Sequence, residues 1–169
     1  MIRRIVATVV LAAATLTVAA PAMAAQPNIV QRAIAINQAT GQFDTLIAAA
    51  TCSYFGSTVV DVLSSPDKTL FAPTDRAFDK LGLTADNVCA TFAGNTGSLL
   101  NILTYHVVDA RVSVFRLLRS IGGSITMFNG QQAAVTWDRG IKVDGARVVL
   151  PNVPASNGFI HVVSSVLVP

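Results

Sequence analysis

The order of patterns along the chain predicts an α+β domain. Through the first half, apolar residues recur at helical spacing. A short apolar run beginning at Thr69 then turns abruptly into a second pattern suited to a capped helix. Beyond Tyr105 the texture changes to short, partly alternating segments separated by glycine-containing turns. Helices first, one central strand, then a strand meander is the order of an α+β fold, not of repeated βαβ units.

Residues 1–24 read as a secretory signal peptide. Arg3 and Arg4 supply the basic start, 5–20 is apolar and small, and Ala22-Met23-Ala24 fits a cleavage site after Ala24. The expectation is a free mature chain, 25–169, folding as a single domain without a membrane span. Removing Arg3 and Arg4 from the twelve basic residues leaves ten against nine acidic ones, so a nucleic-acid partner has no electrostatic support. All nine acidic residues are aspartates. Cys52 and Cys89 both survive processing, and in an exported chain a disulfide between them is expected. Two buried free thiols are the plain alternative, while a metal site lacks clustered ligands. Export points to a secreted, periplasmic or cell-surface address.

The helical half begins with Ile29, Ala33, Ile36 and Ala39, followed behind Gly41 by Phe43, Leu46, Ile47 and Ala50. Val59, Val62 and Leu63 continue the pattern until Ser64-Ser65-Pro66-Asp67 breaks it. In Thr69-Leu70-Phe71-Ala72-Pro73 a buried strand is expected to end at the proline, with Thr74 as helix N-cap and Asp75 in the first turn. Phe78 and Leu81 should face one side, and Gly82 should stop the helix. A short segment at 85–92 carries Cys89, and Leu99, Leu100, Ile102 and Leu103 form another stripe. The later half predicts strands at 124–127, 133–137, 141–143, 146–150, 159–163 and 166–168. Turns are expected at Asn129-Gly130, Asp138-Arg139-Gly140 and Asp144-Gly145.

Three ordered segments carry a family resemblance. Leu70-Phe71-Ala72-Pro73-Thr74-Asp75-Arg76-Ala77-Phe78 resembles the first signature of the fasciclin (FAS1) domain. Tyr105-His106 matches the motif between the signatures. Asn157-Gly158-Phe159-Ile160-His161-Val162-Val163, with Val166-Leu167-Val168-Pro169, resembles the closing one. The resemblance implies a wedge of β-sheets with an N-terminal helical subdomain, in which Phe71, Pro73, Thr74, Asp75, Phe78, Tyr105, His106, Gly158 and His161 maintain the fold. It further implies a non-enzymatic module for cell-surface or matrix adhesion contacts, recognising a protein or glycan. The alternative it offers is a carrier of a small apolar ligand, such as a carotenoid or lipid, in a groove. Ser164-Ser165 stand where an acidic residue is common in the family, so integrin recognition is not carried over.

Reading the residues for chemistry agrees with a non-enzyme. There is no Gly-x-Ser-x-Gly, no His-Glu-x-x-His and no phosphate-cradling glycine loop. No cofactor is implied. Asp75 and Asp79 read as a solvated helix face, and His106 and His161 as neutral core histidines, with a hydrogen bond from Thr74 or Asp75 to His106 expected to tie two motifs together. Arg111, Arg116 and Arg119 form a basic cluster around a possible cap at Ser113; a wet helix face is the simple reading and an acidic glycan or lipid headgroup the functional one. Trp137, the only tryptophan, is expected in the core or on a sheet face, whereas an exposed tryptophan would suggest a sugar or partner contact.

Overall fold

The computed structural model describes residues 26–169; the expected leader and its cleavage position lie outside them. Helices α1 (Ile29–Thr40), α2 (Asp44–Ala50) and α3 (Thr58–Ser64) come first. They are followed by β1 (Lys68–Pro73), α4 (Asp75–Asp79), α5 (Val88–Thr91), α6 (Thr96–Tyr105), β2 (Val107–Val108) and α7 (Val114–Arg119). The chain finishes with β3 (Ser124–Thr126), β4 (Gln132–Trp137), β5 (Ile141–Val143), β6 (Ala146–Ala155) and β7 (Gly158–Val163). The predicted strand at 166–168 does not form: the segment is irregular, and Leu167 instead buries its side chain and spends its N–H on His106.

Seven strands run in the order β2-β1-β7-β6-β5-β4-β3. β1 and β7 pair in parallel from Lys68↔Gly158 to Pro73↔Val163, and every other neighbouring pair is antiparallel. A parallel pair covered on both faces should read as an unbroken apolar run. β1 and β7 do so, because each serves two cores. Leu70, Ala72, Ile160 and Val162 face the helical side with Ile29, Phe43, Leu99 and Leu103. Phe71 and Val163 face the other side with Tyr105, Leu117, Val135, Val143 and Leu167.

Local chemistry sets the boundaries. Asn28 caps α1 in a reciprocal capping box with Gln31. α4 ends in a Schellman motif, with Leu83 N–H to Phe78 O (3.1 Å) and Gly82 N–H to Asp79 O (3.0 Å), Gly82 being left-handed at φ 71°. That turn buries Leu83 and leaves Leu81 52% exposed, contrary to the helical-face expectation. Between β5 and β6, Asp144 (φ 46°) and Gly145 (φ 75°) are both left-handed, as a type I′ hairpin turn requires. Cys52 and Cys89 are joined in a disulfide that ties the end of α2 to α5.

Candidate functional site

The signature residues lie along β1, its junction with α4, the end of α6 and β7, and the side chains of Asp75, His106 and His161 bond backbone groups. Thr74 has the extended backbone of an N-cap, but its side chain makes no cap bond. Asp75 is not a free solvated carboxylate. Its Oδ1 accepts from Thr45 N–H (2.7 Å) and its Oδ2 from Asp44 N–H (3.2 Å), capping α2 from across the chain. α2 needs that partner because its own N-cap position is Phe43, which has no acceptor side chain. Asp79 stays exposed.

His106 meets neither Thr74 nor Asp75, so the expected tie between those motifs is replaced by two backbone contacts. Nδ1 donates to Ile102 O (2.8 Å), and Nε2 accepts from Leu167 N–H (2.9 Å). His161 uses the opposite tautomer: Nε2 donates to Val112 O (2.7 Å), and Nδ1 accepts from Asn152 N–H (3.2 Å). Each partner set demands one donor and one acceptor, which only a neutral imidazole supplies. Burial pulls His106 down to about 4, opposed by its bond to Ile102, and burial lowers His161 in the same direction, opposed by Val112. His161 also stacks on Phe71, centroids 5.4 Å apart. Tyr105 donates to Gln132 O (3.3 Å), and burial, reinforced by the Asp144 carboxylate, raises its phenol. Gly158 is required by proximity, since a Cβ there would lie 1.7 Å from Lys68 O. Pro73 and Phe78 are buried. Among the described residues no three His, Cys or Asp side chains are grouped to hold a metal ion.

Apart from a more polar cleft of ≈ 710 Å³ that Asp109 and Arg116 help to line, two strongly apolar recesses stand out. Between α1, α2, α3 and α6 an almost wholly apolar cavity of ≈ 60 Å³ is lined by Ala33, Leu46, Ile47, Val59, Leu63 and Leu103, with His106 and Ile34 also at its wall. This is less than half of the roughly 150 Å³ that accepts benzene in an engineered core. On the other side, a cleft of ≈ 280 Å³ separates α7 from the sheet, walled by Val114, Leu118, Trp137, Ile141, Val148 and Pro151. Trp137, expected in the core or on a sheet face, is 59% exposed at the last residue of β4. The arginine cluster is also split. Arg111 is held apart, against the Phe159 ring, Ser156 O and Asp67, whereas Arg116 and Arg119 ride on α7.

The sequence model of the Fasciclin domain matches residues 41–169. The chain belongs to the fasciclin family. An uncharacterised Synechocystis protein, sll1735, is 37% identical over 142 residues, covering 83% of this chain and 97% of its own length. Immunogenic protein MPB70 of Mycobacterium bovis is 35% identical over 112 residues, which is 66% of this chain and 54% of the relative. The chain therefore spans about half the length of that mycobacterial relative. Among solved structures, a FAS1 domain pair from the insect cell adhesion molecule Fasciclin I superposes with a TM-score of 0.54 over 73% of this chain and 45% of that one, at 19% identity. The fold is shared with it. Within this fasciclin domain, sequence reasoning missed the capping role of Asp75 and held exposure of Trp137 only as the alternative; the only hint of the capping was an α2 segment lacking a capping side chain at its start.

Proposed function

We propose that this fasciclin domain acts as a non-catalytic contact module at the cell surface or in the matrix, exported to the periplasm, surface or medium and recognising a protein or glycan. The observation that carries the reading is where the signature polar groups are used. Asp75, His106 and His161 are each consumed by backbone groups of their own chain, so the exposed surface is left to make outside contacts. A relative named as the cell surface glycolipoprotein MPB83, 33% identical over 112 residues, supports the address. The test is binding of the exported, purified protein to fractionated envelope polysaccharide and to isolated surface proteins, with the N-terminus read by mass analysis. Retention by either fraction and a start at Ala25 are the expected results; no retention by any fraction refutes the contact reading.

The apolar cavity among the helices supports a second reading, a carrier of a small apolar ligand. At ≈ 60 Å³ it admits the end of an acyl or isoprenoid chain, and a whole carotenoid requires the helices to part. Absorbance and mass analysis of the protein from its native source separates the readings. A stoichiometric pigment or lipid supports the carrier, and ligand-free protein that still binds envelope material supports the module.

A further inference from the structure

The α7 surface has an order that neither reading uses. In a helix of 3.6 residues per turn with Leu117 facing the core, Phe115 and Arg119 fall on the outermost line. Leu118 and Val114 fall on the flank that walls the Trp137 cleft, and Arg116 falls on the opposite flank beside Ser120. The outermost apolar groups are unusually bare: Phe115 is 72% exposed, Trp137 59% and Leu118 40%. Single exposed apolar residues are ordinary, but Leu118 beside Trp137 at the cleft and Phe115 on the adjoining outer line of α7 bring three into one region.

The charge of this region is one-sided. α7 carries Arg116 and Arg119 and no acidic residue, and Asp109, which shares a cleft wall with Arg116, is paired with Lys68. Asp138, next to Trp137, is neutralised by Lys142 at 2.6 Å. In the cleft wall the Trp137 indole N–H is the one side-chain hydrogen-bond donor, too few to direct bonds at several sugar hydroxyls, and ≈ 280 Å³ falls just below the usual range for an enclosed ligand. Protruding Trp, Phe and Leu flanked by arginine is the chemistry of the boundary between lipid headgroups and acyl chains, where amphipathic rings sit at headgroup depth and cations meet anionic lipid.

We propose that α7 and Trp137 form a peripheral docking surface for an anionic phospholipid bilayer, with Phe115, Leu118 and Trp137 entering the interface and Arg116 and Arg119 meeting headgroup phosphates. This goes beyond the protein or glycan contact and does not depend on it. Linking two bodies requires two attachments, and this face supplies one to lipid.

Because Trp137 is the only tryptophan, its emission reports on this surface directly. The exported, purified protein is titrated at low salt with vesicles of phosphatidylglycerol and phosphatidylcholine, with vesicles of phosphatidylcholine alone, and with a soluble acidic polysaccharide. The expected result is a blue shift and co-sedimentation with the anionic vesicles only, weakening as salt rises. Arg116→Gln with Arg119→Gln weakens binding roughly 30-fold, each cation near the surface contributing about 1 kcal/mol. Phe115→Ser weakens it roughly tenfold or more through lost apolar burial. Both changes lie at exposed positions, and unchanged circular dichroism confirms that the variants fold. No shift with anionic vesicles, or vesicle binding indifferent to both variants, overturns the proposal. A shift with the polysaccharide and none with vesicles also overturns it and makes an acidic glycan the occupant.

Discussion

Replacing Gly158 by alanine tests how far the parallel β1–β7 pair depends on close backbone approach. The new Cβ would sit 1.7 Å from Lys68 O, 2.7 Å from Lys68 C and 3.1 Å from Ile29 Cδ1. An ordinary carbon–oxygen approach is about 3.3 Å or more, so β1 and β7 must part by well over an ångström at this end. The Lys68 N–H to Asn157 O bond (3.0 Å) and the adjoining ladder contact are the first to go. Each lost bond costs about 1 kcal/mol net, a buried group left unpaired about 1–3, and the displaced packing about 1–3 more. The expected loss is about 3–5 kcal/mol in urea denaturation. Gly97 provides the control, since it lies in α6 with nothing within 4 Å of a Cβ. Gly97→Ala should be neutral or stabilise by about 0.5–1 kcal/mol. A Gly158→Ala protein within about 1 kcal/mol of the parent would refute the reasoning.

Three further outcomes follow from the same structure. Asp75→Ala removes the acceptor for two N–H groups at the start of α2 and should cost about 1–2 kcal/mol by chemical denaturation, with Asp75→Asn retaining part of it. His106 binds its proton near pH 4 when folded, against about 6.5 when unfolded, so the unfolded chain takes up the extra proton first. Stability from this group is therefore complete above about pH 6.5 and falls by about 3 kcal/mol as pH drops toward 4. His161, shifted the same way, steepens the fall, and His106→Asn should flatten the profile of denaturation midpoint against pH. Reducing the Cys52–Cys89 bond, or replacing both cysteines by serine, opens a loop with a sequence separation of 37 and should cost about 3.5–4 kcal/mol in the chain-entropy account, read as a lower Tm.

What could be read in advance was whatever the chain settles locally. Gly82 behaves as a stop, Asp144-Gly145 as a hairpin turn, and β1 as a doubly buried strand, because backbone preference and burial period act over a few residues. The partners of His106 and Asp75 were not readable. They come from Leu167 and Thr45, whose approach depends on how distant elements stack. β2 escaped notice for the same reason, since two residues carry no period and gain strand character only by lying beside β1. β6 runs five residues past its expected end, through Pro151 and Pro154, because register shifts between Val148 and Val153 let an interrupted ladder continue along β7. The exposure of Trp137 was not readable, because alternation gives the face a side chain points to, not how far that face is covered.

The parallel pairing of β1 with β7 also constrains when this protein can exist as a folded object. Lys68 and Gly158 are roughly 90 positions apart in sequence, so the parallel ladder of β1 cannot form until the chain has been synthesised through β7. Until then β1 can pair with β2 on one flank only, and its other flank stays an open apolar edge in need of shielding. Closure of that ladder is therefore a late event, and a chain interrupted before β7 keeps one edge of β1 unsatisfied.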